Sequence, residues 1–110
     1  MKGPVPSLGL ALLAAVCLVP AGCGRGPESG KSGETLFMIH CSGCHPEGGN
    51  VKYPRKSLDR MTLTANGITT PQQIVHLMRH PGAGMKEFDR GTISDADARK
   101  VAEYVLAAFK

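Results

Sequence analysis

The chain has little cysteine, and after Cys44 it has none: the four are Cys17, Cys23, Cys41 and Cys44. A zinc ribbon or finger takes two Cys-x-x-Cys pairs, or one pair and two spaced histidines, so that count argues against structural zinc. No stretch alternates apolar and polar residues with the period of a strand, so a sheet is not expected. The principal apolar run, Leu8 to Val19, is too short for a bilayer-spanning helix, which needs about 18 residues or more. Excess charge is small as well. The formal net charge of +4 is mild basicity and gives no reason to infer nucleic-acid binding.

What the apolar run does fit, after Lys2, is the hydrophobic region of a signal peptide, which implies export. Ala21-Gly22-Cys23 closes the run, and small residues immediately before a cysteine resemble a bacterial lipobox, with cleavage before Cys23 and lipid on its thiol. Residues 1–22 are then the leader. The chain of 110 residues becomes 110 − 22 = 88, and loss of Lys2 lowers the charge from +4 to +3. A domain of that size is marginal on its own core and gains from a buried prosthetic group. Residues 23–32 are rich in Gly, Ser, Pro and charge without apolar periodicity, the composition of a flexible tether. One domain, 33–110, follows.

Within it, Cys41-Ser42-Gly43-Cys44-His45 is the pattern that attaches a c-type haem. Two thiols on one turn can reach the same edge of a porphyrin and form thioethers with its vinyl groups, and the next residue, His45, then lies where an imidazole nitrogen can bind iron as the proximal ligand. A thioredoxin-like dithiol would place its Cys-x-x-Cys after a β-strand, whereas helical periodicity precedes Cys41. A small disulfide would leave His45 without a role. On the haem reading every thiol is assigned: Cys17 leaves with the leader, Cys23 takes lipid, and Cys41 and Cys44 take haem.

The chain reads as all-α with four helices. Ser32 can cap a first helix from Gly33 to the haem motif, with Leu36, Phe37 and His40 or Cys41 on one face. Pro46–Tyr53 is an irregular loop whose Gly48-Gly49 either lies against a flat macrocycle or makes a plain turn. Ser57–Ala65 forms a short helix with Leu58, Met61 and Leu63 apolar, stopped at Asn66-Gly67. Thr70-Pro71-Gln72-Gln73 combines a cap, a proline at the first helical position and a capping-box glutamine, predicting a third helix to Arg79 with Ile74, Leu77 and Met78 inward. Pro81–Gly91 lacks periodicity. Ser94 caps a last helix carrying Val101, Tyr104, Val105 and Ala108.

A second iron ligand is needed if both faces are to be filled. Met85 sits in Gly82-Ala83-Gly84-Met85, where backbone free of helical constraint can aim a thioether at iron. Met38 is too near Cys41 to cross the ring. Met61 and Met78 fall on helical stripes, where a methionine commonly fills core, yet either remains an alternative, as do His76 and His80, whose ordinary reading is surface histidine.

Gly33, Phe37, Cys41, Cys44, His45, Gly48-Gly49-Asn50, Leu58, Ala65-Asn66-Gly67-Ile68, Met85, Phe88 and Val101-Ala102-Glu103-Tyr104-Val105 together resemble the single-haem class I cytochromes c, especially the small photosynthetic kind, over nearly all of 33–110. The leader and Met38-Ile39-His40-Cys41-Ser42-Gly43-Cys44-His45-Pro46 are similar to lipoprotein cytochromes of metal-reducing bacteria. The match departs at Lys86, where the family usually has proline, and at Leu77, where photosynthetic members tend to have glutamine. The resemblance implies the class I fold around one haem c, His45 and Met85 as axial ligands, a crossing of first and last helices at Gly33, Phe37 and Tyr104, and one-electron transfer to other redox proteins such as cytochromes, with no enzymatic activity. The expected protein is a monomer held by lipid at the periplasmic or outer-membrane side of a bacterium. Two rivals stay open: a haem sensor or peroxidase-like enzyme with a labile methionine, and a haem-free dithiol oxidoreductase. Lys52, Arg55, Lys56 and Arg60 gather positive charge within nine residues and could steer acidic partners.

Overall fold

The computed structural model describes residues 2–4 and 28–110. The apolar run Leu8 to Val19 read as a leader, Cys17, and Cys23, the expected lipid acceptor, lie outside the described residues. Within them the order is α1 (Gly33–His40), two short 3-10 turns (Pro46–Gly48 and Pro54–Lys56), α2 (Arg60–Ala65), α3 (Pro71–Arg79) and α4 (Asp95–Ala108), with no strand among the described residues.

Each helix begins where a side chain can take up a free backbone N–H. Thr35 N–H donates to the Ser32 hydroxyl at 3.1 Å and Asp97 N–H to the Ser94 hydroxyl at 3.1 Å. At α3 the expected capping box is complete: Gln73 N–H donates to the Thr70 hydroxyl at 3.3 Å, and Thr70 N–H donates to Gln73 Oε1 at 3.0 Å. Helix α2 starts three residues later than its apolar pattern suggested. Asp59 is extended and accepts from Thr62 N–H at 2.9 Å, while the Ser57 hydroxyl donates to the Asp59 carboxylate, so 57–59 serve as cap rather than first turn.

That shift corrects the reading of Met61. With Leu58 outside the helix, α2 turns inward on Leu63, and Met61, two residues away, is rotated by about 200° to the other face. It is 81% exposed and fills no core, whereas Met78 is 3% exposed and does.

Helices α1 and α3 both pack on α4. Gly33 has no side chain to separate α1 from the Lys100 carbonyl and the Tyr104 Cβ, and Phe37, 1% exposed, stacks obliquely on Tyr104 and Phe109 with centroids 5.5 and 5.2 Å away. Ala98 and Ala102 are fully buried one turn apart on α4, small enough to let its neighbours close in. Leu36, Leu63, Ile74, Met78, Phe88, Ile93, Val101 and Val105 complete the core. Contacts with α4 begin before α1: Ser29 N–H donates to both Asp97 carboxylate oxygens (3.3 and 3.1 Å), Glu28 pairs with Lys100, and Lys100 Nζ donates to the Lys31 carbonyl at 3.0 Å. The last five residues of the stretch expected to be a free tether therefore lie on the domain.

Candidate haem-binding site

Helix α1 delivers the cysteines by ending in tight turns. Cys41 and Ser42 N–H both donate to the Phe37 carbonyl (2.8 and 3.0 Å), and Cys44 and His45 N–H both donate to the Cys41 carbonyl (3.2 and 2.9 Å). The two thiols thus come from one compact coil, Cys44 exposed and Cys41 half-buried. Burial, and then the neighbouring Cys44, push the Cys41 thiol up to about 11. A redox-active dithiol needs the opposite, a first cysteine lowered toward neutrality so that it attacks as thiolate. That chemistry argues against the dithiol oxidoreductase.

His45 is buried, 8% exposed, and its Nδ1–H donates to the Gly49 carbonyl at 2.8 Å. This bond orients the ring and leaves Nε2 with its lone pair free, the arrangement that ligating histidines show when a carbonyl holds their other nitrogen. Gly49 is in place because the following loop folds back: Gly49 N–H donates to the Pro46 carbonyl (2.9 Å), Val51 N–H to Cys44 (3.1 Å) and Leu58 N–H to Gly48 (2.6 Å). Gly48, one of the two glycines that could have lain against a macrocycle, packs against the ring of Phe109.

Met85 lies on the segment between α3 and α4, 37% exposed. The segment is closed at its base, where Phe88 N–H donates to the Met78 carbonyl at 2.9 Å and the Arg79 guanidinium donates to the Phe88 carbonyl at 2.9 Å. One side rests on the 53–56 turn, with Gly84 against the Tyr53 ring and the Lys56 ammonium near Gly82. The other side reaches the end of α1, where the His40 ring meets Phe88 edge-on at 6.2 Å between centroids. His76 on the last turn of α3 and His80 just after it are both exposed, their rings 4.8 Å apart.

The four basic residues do not act alike. Lys52, Arg55 and Lys56 are exposed, and the Lys52 and Lys56 ammonium groups sit 5.7 and 5.3 Å from the Tyr53 ring centroid. Arg60 instead fastens the end of α4, through its guanidinium to the Leu106 carbonyl and its backbone N–H to Phe109 at 3.1 Å. Lys86, beside Met85, joins the basic surface and lies 5.5 Å from the Phe88 ring.

The sequence reading did not single out Tyr53, which carries the Met85 segment, or Arg79, which closes its base. A lysine on either side of an aromatic was the available signal for Tyr53. None marked Arg79, because the partners that bury it come from Phe88 and from Asp95, sixteen residues on.

The donor set suits a covalently held haem: two unpaired thiols on one turn, an adjacent imidazole with a carbonyl-held Nδ1, and a thioether on an exposed segment. A family model described as "Cytochrome C oxidase, cbb3-type, subunit III" matches residues 28–105. Cytochrome c6 of Bumilleriopsis filiformis is 36% identical over 77 residues, spanning 70% of this chain and 88% of that protein. The outer membrane cytochrome OmcF of Geobacter sulfurreducens superposes with a TM-score of 0.70 at 47% identity, over 72% of this chain and all of that one. Cytochrome c6 of the diatom Phaeodactylum tricornutum does so with a TM-score of 0.62 at 35% identity, over 68% and 87%. The chain thus belongs to the small class I c-type cytochromes, similar to cytochrome c6 and OmcF, and is an electron-transfer protein carrying one haem c.

Proposed function

We propose that the protein is a His/Met-ligated one-electron carrier at the periplasmic or outer-membrane side of a bacterium. The observation that carries this reading is the bond from His45 Nδ1 to the Gly49 carbonyl, which leaves Nε2 as the ligating atom directly after Cys44. Haem c supplies the one-electron couple of iron. Cys41 and Cys44 would hold it covalently, and His45 and Met85 would supply its iron-binding nitrogen and thioether, the thioether favouring the ferrous state relative to a second histidine. Among the alternatives, Met78 is enclosed in the core and Met61 points to solvent, which supports Met85. The absorption spectrum of protein from its native host tests the ligation. A low-spin spectrum with a methionine-to-iron band in the ferric form is expected; a high-spin spectrum favours the sensor or peroxidase-like reading, and a colourless protein the dithiol.

Partner redox proteins, on this reading, are acidic at the contact surface and bind weakly and briefly. Lys52 and Lys56 beside the Met85 segment, and Lys86 on it, supply the steering charge. Reversing Lys52 and Lys56 to glutamate should slow bimolecular electron transfer at low salt and much less at high salt, where the same attraction is screened. Unchanged rates at low salt would remove this role. No described helix is long and apolar enough to cross a membrane. The anchor proposed is lipid on Cys23, which Cys23→Ser should abolish, moving the protein to the soluble fraction with its haem spectrum intact; a wild-type protein already soluble after lysis would refute it. Stable anchoring takes more than one acyl chain, so a full lipoprotein modification is implied.

A further inference from the structure

Arg79 is the last residue of α3, and its side chain is nine-tenths buried. An arginine is rarely buried without paired partners. Here Nη1 donates to the Phe88 carbonyl at 2.9 Å and Nη2 to Asp95 Oδ1 at 2.8 Å, while Nε is buried with no partner among the described residues. The guanidinium therefore bridges three places: the end of α3, the end of the Met85 segment and the first residue of α4. Asp95 is held from its other side by Arg90, whose Nε donates to Oδ2 at 3.0 Å.

What lies between the clamped ends is weakly tied. Residues 82–87 are all exposed, and the backbone bond within them, from Met85 N–H to the Gly82 carbonyl, is long at 3.5 Å. Beyond it the segment has only the Tyr53 ring under Gly84 and the Lys56 ammonium near Gly82 beside it among the described residues. At its base, by contrast, the bond from Phe88 N–H to the Met78 carbonyl and the two Arg79 bonds act at adjacent residues. With Nε already unpartnered, loss of either remaining bond leaves a buried cation with a single partner, so the clamp should fail as a unit.

We propose that Arg79 is a positioning residue for the distal ligand: its bonds to Phe88 and Asp95 fix the base of the 80–88 segment and thereby set how readily Met85 leaves iron. The proposal rests on Met85 being that ligand. Asp95 shares the role through Nη2, and Glu87, exposed on the segment and outside the clamp, does not.

The test is titration of the ferric holoprotein with imidazole, which occupies the sixth position only when the protein's own ligand has left. Arg79→Gln, which loses the charge and the forked donor, should bind imidazole about tenfold or more tightly than wild type, from the loss of one charge-assisted hydrogen bond. Arg79→Lys, which keeps the charge but has no planar fork to span both acceptors, should fall between them. Glu87→Gln, exposed on the same segment, should match wild type. Amide exchange at Phe88 should quicken in Arg79→Gln and Arg79→Lys under conditions where thermal unfolding shows both fully folded. Asp95→Asn keeps Arg79 in place and serves if Arg79→Gln does not fold; it too should raise imidazole affinity. If Met85→Ala opens the sixth site but Arg79→Lys and Asp95→Asn bind imidazole as wild type does, the clamp is refuted and the ligand stands. If Met85→Ala leaves the site filled, the ligand assignment falls and the proposal with it.

Discussion

Replacing Gly33 by alanine sets two effects of known sign against each other. Alanine is the better helix former, and in a helix interior the exchange would stabilise by about 1 kcal/mol; at the first position of α1 the gain is smaller. Against this, a Cβ built at Gly33 would overlap the Lys100 carbonyl oxygen and lie 2.8 Å from its carbon and 3.0 Å from Tyr104 Cβ. The obstacles are the backbone of α4 and the first side-chain carbon of half-buried Tyr104, not the end of a flexible chain that could swing aside. Relief requires α1 to move off α4, loosening Phe37 from Tyr104 and Phe109. Overpacking of this kind costs about 1–3 kcal/mol, so the crossing term wins. In a domain of this size that lowers the melting temperature by roughly 4–8 °C per kcal/mol. Denaturant unfolding of the holoprotein, followed by far-UV circular dichroism, should show a lower midpoint with the slope unchanged, the mark of altered stability rather than altered unfolded state. A Gly33→Ala protein as stable as wild type, or more so, would mean that the α1–α4 contact is not as close as the structure places it.

Met61→Ala and Met78→Ala should separate cleanly. The first removes a side chain 81% exposed and should shift stability by less than about 0.5 kcal/mol; the second empties a site 3% exposed and should cost about 2–5 kcal/mol, both with the iron spectrum intact, as thermal melts and absorption would show. Asp59 should contribute to acid sensitivity. Bonds from the Ser57 hydroxyl and then from Thr62 lower its carboxyl from 3.8 to about 2, so its stabilisation is present above pH about 4 and is lost as pH falls toward 2. Asp59→Asn should therefore flatten the pH dependence of stability between those values, and an unchanged acid profile would exclude the cap as its source.

Most of the helices were legible because their signals are local. Thr70-Pro71-Gln72-Gln73 carries its capping box within four residues, and the structure closes it as written. The haem motif is likewise contiguous, so the order of thiols and imidazole followed from spacing alone. Met61 misled because Leu58, which would share its face in a helix from Ser57, lies outside α2, leaving Leu63, about 200° from Met61, to define the inward face. Arg60 was grouped with its basic neighbours although its guanidinium binds the Leu106 carbonyl, a partner forty-six residues away. Arg79 and the contact of Tyr53 with Gly84 were invisible for the same reason: each depends on segments that meet only in the folded chain.

The most direct test of the central assignment is the ferric and ferrous absorption spectrum of the Met85→Ala holoprotein, with its reduction potential. His45 and both thioethers are untouched, so haem should stay covalently attached while the sixth position opens to water or added imidazole, the methionine band disappears, and the potential falls with the loss of a soft sulfur ligand. A Met85→Ala protein that remains low-spin, keeps the methionine band and holds its potential would contradict the account, because another residue would then be filling the distal site.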